Sequence, residues 1–161
     1  MVVPDRVVKA VQRVSGQPWF AKVAPKIVPP VDKAVSKLTG GRVLLSGLAT
    51  PAIVLTCVGA KSGVERDVPL AFMRDDAGWV VVASNFGREK HPGWMYNLKA
   101  HPDAWVTERG TKTAVTARVL TDAERDAMWA RIVANWPTFA TYDARTPDRE
   151  LQVFLLEPRT A

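Results

Sequence analysis

The stretch Leu55–Leu70, LTCVGAKSGVERDVPL, contains two apolar runs on either side of a short polar turn. Within the turn, Gly59–Gly63, two glycines flank an alanine, a lysine and a serine. Because glycine tolerates positive φ and leaves backbone amides unshielded, such a turn can form a concave anion site. Arg66 adds a second positive charge beside Lys61. The pattern predicts two strands joined either by a plain hairpin turn or by a site for a phosphate or carboxylate.

Length and composition favour one globular domain with a real core. The chain has 161 residues, of which 47% are hydrophobic. No apolar run approaches the roughly 20 residues of a membrane-spanning helix. The first charges are not followed by the long apolar segment of a secretory signal. The one cysteine, Cys57, excludes a disulfide framework and a cysteine-rich zinc site, and we expect a cytoplasmic protein.

Positive charge is concentrated near the N-terminus. Residues 1–50 hold eight Lys or Arg and two Asp, a balance of +6, whereas residues 51–161 carry 14 of each sign. Apolar residues recur at helical spacing within 5–14 and 28–38. We therefore predict two units, a basic amphipathic helical segment at 1–50 and a β domain at 51–161. The segment either packs on its own domain or contacts an anionic membrane through residues 1–40, peripherally at the inner face of the plasma membrane.

From residue 51 onward, apolar alternation and turn residues indicate strands. We predict strands at 52–58, 66–74, 79–84, 103–108, 113–119 and 151–156, helices at 92–100 and 122–136, and a turn at 138–143. Pro29-Pro30 suits the first turn of a helix, and Thr121–Glu124 has the sequence of a capping box. The short connections favour an α+β, mainly β, protein built on a six-stranded antiparallel barrel with flanking helices.

Few residues could carry chemistry. His91 and His101 lack a carboxylate pattern beside them, so we expect no metal site. The sequence has no nucleophile elbow, no P-loop and no dinucleotide-binding glycine motif. Its basic residues are not interleaved with aromatic ones, so we expect no nucleic-acid partner. What remains is basic, glycine and aromatic residues in three loops, 59–66, 84–94 and 136–142, a pattern typical of a cofactor cleft.

Three segments resemble, in order and spacing, the signatures of the deazaflavin-dependent nitroreductase family. LTCVGAKSGVER at 55–66, followed by Pro69-Leu70, is similar to LTTTGRKSGxxRxxPL. VASNFGREKHPGWMYNLKAHP at 82–102 is similar to ASxGGxxxxPxWxxNLxANP. WPTFATY at 136–142, followed by LEP at 156–158, resembles the third signature.

The resemblance implies a split β-barrel of the FMN-binding-like type. It implies binding of coenzyme F-420, an 8-hydroxy-5-deazaflavin, and hydride transfer from its reduced form to a quinone, a nitroaromatic or an activated alkene. Two alternatives stay open: an FMN-binding reductase on the same barrel and a non-catalytic module that stores a deazaflavin. We expect a monomer or weak homodimer.

The resemblance also implies roles for single residues. The residues implied to bind the cofactor are Lys61, Ser62 and Arg66 at its tail, Pro69, Leu70 and Ala71 under its ring, Ala83, Ser84 and Asn85 at the ring's polar edge, and Lys90, Pro92, Trp94, Asn97 and Leu98 around the cleft. Tyr142 and Ser84 are the implied catalytic residues, as candidate proton donors to the reduced product.

Three positions depart from the family pattern. Ala60 stands where many relatives have arginine, Asn85-Phe86 replaces a lysine- or glycine-rich pair, and Phe139 replaces a tyrosine found in some members. Because Lys61 and Arg66 still supply charge for a polyanionic tail, we expect cofactor binding to be retained. The same departures weaken the expectation of nitroimidazole-type activity, which the sequence does not decide.

Overall fold

Seven strands of the structure, a computed structural model, form one antiparallel sheet. The structure describes residues 5–44, 46–48 and 50–160, without the side chain of Leu48. The strands in this part of the chain are β1 Ala52–Val58, β2 Glu65–Ala71, β3 Met73–Asp75, β4 Gly78–Val82, β5 Asp103–Glu108, β6 Thr111–Val119 and β7 Val153–Pro158. The helices are α1 Asp5–Ser15, α2 Pro18–Thr39, α3 Gly93–Ala100, α4 Asp122–Asn135 and α5 Thr138–Ala144.

The strand order shows how the sheet curls into a split barrel. The order is β2-β1-β5-β6-β7-β4-β3, so the two edge strands are consecutive in the chain. They are separated by Phe72, whose amide donates to the carbonyl of Pro51 at 3.1 Å. The predicted strand 66–74 is therefore two strands, because its first half pairs with β1 and its second half with β4. The mixed fold with an antiparallel barrel is confirmed, with seven strands instead of six.

Alternation along β4 and β7 divides the apolar residues between two cores. Val81 and Phe154 face the barrel interior, where they pack with residues of β1, β5 and α3. Their neighbours Val80 and Leu155 face outward and pack against Met128 and Ile132 of α4. Each buried side chain of this size contributes roughly 1.5–3 kcal/mol relative to an exposed one.

Helix α2 contradicts the expectation that Pro29-Pro30 opens a helix. It begins at Pro18 and continues through Pro25, Pro29 and Pro30. Proline has no backbone N–H to donate to the carbonyl one turn earlier in a helix, so this segment has low intrinsic helix propensity. Because α2 packs against β2 and the 85–87 turn and buries Ala21 and Ala24, we infer that tertiary packing offsets that cost.

Two further local predictions are wrong. The polar-aromatic stretch 138–143 lies in helix α5, not in a turn. The capping box at Thr121 is not formed, since the Thr121 side chain makes no cap hydrogen bond. Glu124 instead accepts two hydrogen bonds from Arg118, at 2.7 and 2.9 Å, and this bidentate ion pair competes with the cap.

Within the described residues, the N-terminal helices pack against the barrel and against α5. Helix α2 contacts the 85–87 turn as well as β2, and α1 contacts α5. The predicted units 1–50 and 51–161 are described only in part, since residues 1–4, 45, 49 and 161 lie outside the described residues. Within the described residues, no helix is long and apolar enough to cross a membrane.

Candidate cofactor site

The β1–β2 hairpin ends in a loop that its own backbone closes. The last strand pair is Val58 with Glu65. The amide of Gly59 donates to the carbonyl of Val64 at 2.8 Å, and the amide of Gly63 donates to the carbonyl of Gly59 at 2.9 Å. Gly63 has φ +67°, a conformation that glycine adopts without steric cost. The loop therefore has a defined shape that follows from its two glycines.

Ser62 and Arg66 converge over Gly59. A Cβ atom at Gly59 would lie 2.4 Å from Ser62 Oγ and 3.4 Å from Arg66 Nε, so a larger residue there would displace the Ser62 side chain. Ser62, Arg66 and Lys61 at the loop tip are all exposed. In the part of the chain that the structure describes, neither Lys61 nor Arg66 forms an ion pair. The charges of Lys61 and Arg66 are therefore available to a bound anion. This is what their predicted role as charge-assisted donors requires.

Asn97 of α3 fixes this loop to the barrel. Its Oδ1 accepts from the amide of Ala60 at 2.9 Å, and its Nδ2 lies 3.7 Å from Cys57 Sγ. Burial raises the pKa of the Cys57 thiol, which outweighs the opposite effect of the Asn97 hydrogen bond. Cys57 is therefore a packed thiol without the thiolate character of a nucleophile.

The residues predicted under the ring lie on β2 in half-buried positions. Pro69 pairs with Val54, and Leu70 packs against the barrel core. Ala71 borders a small apolar pocket between the sheet and helices α4 and α5. The pocket is lined by Ala71, Phe72, Met73, Val80, Val82, Ile132, Asn135, Trp136 and Phe139.

The ring-edge loop, residues 83–91, begins with a left-handed turn. Asn85, Phe86 and Gly87 have φ values of 46°, 57° and 73°. Asparagine and glycine visit this region readily, but a phenylalanine there is strained. Strained backbone of this kind persists only where the surrounding structure enforces it, and it clusters at functional sites.

Arg149, which follows α5, holds both ends of this loop. It donates to the carbonyls of Ala83 at 3.2 Å, Ser84 at 2.8 Å and Arg88 at 2.5 Å, and it lies 3.2 Å from His91 Nδ1. Burial, and then the charge of Arg149, lower the pKa of His91 below its ordinary value. No local sequence pattern singles out this arginine, and the sequence analysis missed it.

Tyr142 connects the ring-edge loop to the N-terminal helices. Its ring packs against Gly87, where an added Cβ would lie 3.0 Å from Tyr142 Cδ1. Its hydroxyl donates to the carbonyl of Ser15 at 2.9 Å, and burial raises its pKa. The one hydroxyl hydrogen of Tyr142 is therefore already donated to Ser15. The role of Tyr142 as a proton donor stays a prediction.

The remaining predicted residues fall into two groups. Trp94 and Leu98 are buried in the barrel core, and the Trp94 ring lies 5.5 Å from that of Phe154. Pro92, half-buried, precedes α3, and Lys90 is exposed. The carbonyl of Lys90 accepts from Asn85 Nδ2 at 2.7 Å. Contact of the two core residues with a cofactor stays a prediction.

Comparison with known proteins finds a matching family model and several similar proteins. Residues 31–158 match the family model described as F-420H(2)-dependent quinone reductase. An F-420H(2)-dependent quinone reductase of Mycobacterium tuberculosis is 31% identical over 131 residues, which are 78% of this chain and 87% of that protein. The solved structure of an F-420H(2)-dependent reductase, FDR-A, is similar with a TM-score of 0.61 at 38% identity, over 66% of this chain and 94% of its own. A domain-swapped dimer is similar with a TM-score of 0.62 at 34% identity, over 78% and 94%.

Proposed function

Because this chain belongs to the F-420H(2)-dependent quinone reductase family, we propose that loop 59–66 binds the charged tail of the coenzyme and that the ring-edge loop borders its ring. When bound, coenzyme F-420 in its reduced form supplies the hydride that reduces a quinone. The observation that carries the proposed binding mode is the convergence of Ser62 and Arg66 over Gly59, with Lys61 beside them.

The residues of loop 59–66, hereafter the tail loop, fit a polyanionic group. Lys61 and Arg66 offer charge-assisted donors that form no ion pair among the residues described, and Gly59 provides the space into which a side chain would otherwise project. FMN also carries a phosphate, so the loop alone does not distinguish the two cofactors. Family membership assigns coenzyme F-420. FMN is the alternative, and a fluorescence titration with both cofactors tests it.

Ser84 is better placed than Tyr142 to hold a proton for the reduced product. In the described part of the chain, the Tyr142 hydroxyl is donated to Ser15, whereas Ser84 Oγ makes no hydrogen bond. A serine hydroxyl is a weak acid, so Ser84 would orient the product oxygen and pass on a proton from water. The apolar residues around Ala71 would exclude bulk water from the reacting atoms. We extend the proposed acceptors from quinones to nitroaromatics and activated alkenes.

Fluorescence titration with oxidised coenzyme F-420 and with FMN tests the proposed binding mode. We expect F-420 to bind, and alanine at Lys61 or Arg66 to weaken affinity by about 1–3 kcal/mol, roughly 5- to 150-fold in Kd. Lys112→Ala is the matched control, because Lys112 lies over Trp105 on the β5–β6 hairpin. Binding of FMN alone, or full affinity in both tail variants, would refute the assignment.

Turnover separates the reductase from a storage module. Reduced F-420 is incubated with menadione, and the return of the absorbance of the oxidised coenzyme is followed. Ser84→Ala should slow this reaction more than Tyr142→Phe if Ser84 orients the product. Tight binding without turnover across several quinones would instead support a non-catalytic module.

We further propose that the N-terminal segment contacts an anionic membrane surface from the cytoplasmic side, as a monomer or weak homodimer. Trp19, Val23 and Ile27 recur every four residues on one face of α2 and stay exposed, Trp19 and Ile27 by 55% each. Exposed Lys22 and Lys26 alternate with them in the same helix. An apolar stripe beside basic residues suits a helix lying at a lipid surface.

Sedimentation with anionic liposomes tests this contact. The double variant Trp19→Ser, Ile27→Ser should partition less than wild type, and neutral liposomes should bind both weakly. Equal partitioning of wild type and variant would end the membrane proposal, and sedimentation equilibrium without lipid would give the oligomeric state.

A further inference from the structure

We propose that Arg149 is a positioning residue for the reductase reaction: it fixes the ring-edge loop in its left-handed geometry and selects one tautomer of His91. The link to the reaction rests on the proposed function, because that function places the coenzyme ring at this loop. The positioning itself rests on contacts within the protein. Nothing in the three family signatures includes this residue.

The guanidinium spans the loop from one end to the other. Its Nη1 donates to the Ala83 carbonyl, and its Nη2 donates to the carbonyls of Ser84 and Arg88. Its Nε donates to the Arg88 carbonyl as well, at 3.1 Å. The left-handed residues 85–87 lie between these anchors. The strained turn is therefore clamped on both sides by one planar group.

The same group determines which nitrogen of His91 carries a hydrogen. Arginine offers only donors, so His91 Nδ1, 3.2 Å from Nη1, must act as an acceptor. The imidazole is then neutral and carries its hydrogen on Nε2. Lysine cannot replace this arrangement, because a single ammonium lacks the rigid fork that reaches three carbonyls and a ring nitrogen together.

Placement of the Ser84 carbonyl connects this clamp to the reaction. The predicted polar edge of the site consists of Ala83, Ser84 and Asn85, and Arg149 binds the carbonyls of the first two. A shift of these groups by about 1 Å is enough to lower a rate by up to 100-fold when geometry controls the reaction. Loss of the clamp should therefore affect kcat more than coenzyme affinity, since within the described residues the hydrogen bonds of Arg149 go to residues 83–91 and not to the tail loop.

The test compares Arg149→Met and Arg149→Lys with Arg125→Met. Arg125 is the matched control, since it is largely buried and donates to the Leu151 carbonyl in the segment that follows Arg149. It therefore supports the same segment, but within the described residues its hydrogen bonds and ion pairs do not reach the carbonyls of Ala83, Ser84 and Arg88. With reduced F-420 and menadione, we expect kcat to fall about tenfold or more in both Arg149 variants. The Kd of F-420 should change less than about threefold. Millimolar guanidinium should restore part of the kcat of Arg149→Met and none of that of Arg149→Lys, whose ammonium fills the site.

Nuclear magnetic resonance without coenzyme gives the second readout. In wild type, the His91 ring should show the Nε2–H tautomer, and in Arg149→Met the Nδ1–H tautomer should become populated, with shifted amides at 84–88. Wild-type kcat in Arg149→Met, an unchanged His91 tautomer, or equal loss in Arg125→Met would overturn the proposal. If Arg149→Met does not fold, the same measurements on the charge-retaining Arg149→Lys decide. Failure of wild type to bind F-420 would refute the proposed function, while the tautomer result would still test the clamp.

Discussion

The two loops of the candidate site are held in place by different means. The tail loop closes through hydrogen bonds among Gly59, Gly63 and Val64, all within six residues of sequence. The ring-edge loop depends on distant residues: Arg149 across its ends, Tyr142 against Gly87, and Phe20 of α2, whose ring lies 6.2 Å from that of Phe86. One loop is therefore locally encoded, and the other is held by tertiary contacts.

Because of this difference, we expect changes in the two loops to affect different properties of the protein. The tail loop directs exposed charged side chains to solvent, so changes there should alter coenzyme affinity with little effect on folding. The ring-edge loop is part of the contact between the barrel, α5 and the N-terminal helices. Changes there should alter stability, the position of α1 and α2, and catalysis together.

The largest contrast should come from adding one methyl group to a left-handed glycine in each loop. Gly87→Ala combines an unfavourable φ of +73° with a Cβ 3.0 Å from Tyr142 Cδ1, and we expect the free energy of unfolding to fall by about 2–3 kcal/mol. Gly63→Ala has φ +67° but nothing within 4 Å of the new Cβ, so we expect a loss of about 1 kcal/mol. Urea unfolding monitored by tryptophan fluorescence measures both.

The contrast between the loops is tested by the difference between the losses in unfolding free energy of Gly87→Ala and Gly63→Ala. Equal losses would mean that the ring-edge turn relaxes away from Tyr142 at no cost, and the contrast between the loops would then be wrong. A loss confined to Gly87→Ala would show that the tail loop tolerates a residue other than glycine at position 63.

A smaller effect is expected from removing one hydroxyl that joins the ring-edge loop to α1. Tyr142→Phe loses the hydrogen bond to the Ser15 carbonyl while keeping the ring against Gly87, and we expect a loss of about 1 kcal/mol in the free energy of unfolding. Hydrogen exchange should speed up in α1 and stay unchanged in the tail loop. Exchange that rises in both loops equally would contradict separate means of support.

The sequence predicts what local patterns specify. Strand limits at Ala52–Val58 and Asp103–Glu108 match the expected ones, because alternation and turn residues lie within each segment. The tail loop was found from its own glycines and charges. The part of helix α2 within 28–38 was predicted, but its start at Pro18 and its course through Pro25, Pro29 and Pro30 were not, because packing against β2 overrides the low propensity of that segment.

The ring-edge loop also has features that local sequence patterns do not predict. Its signature residues were recognisable, but its left-handed turn at Phe86 and its clamp were not. Arg149 lies more than 60 residues from Ser84, and the contact exists only once β4 and β7 pair. Likewise, no local pattern places the Tyr142 hydroxyl on Ser15, 127 residues away.

The smallest effect we expect is a pH dependence confined to the ring-edge loop. Burial and Arg149 hold the pKa of His91 below its ordinary value in the folded protein. As pH falls through about 6.5, the unfolded chain therefore takes up a proton on His91 before the folded chain does. His91 thus favours the folded state fully above that pH, and this contribution is lost as pH falls toward the lowered folded pKa.

Urea unfolding of wild type and His91→Gln between about pH 7.5 and 5.5 isolates this contribution. Wild type should lose more stability than His91→Gln over this range, and Gly63→Ala should follow wild type because the described groups that shift the pKa of His91 are Arg149 and Lys99, outside the tail loop. Arg149→Met should reduce the pH dependence by removing one of its two main causes, while burial retains the other. A wild-type curve parallel to that of His91→Gln would mean that the imidazole is not held neutral, and the ring-edge loop would lose one of the distant supports that distinguish it from the tail loop.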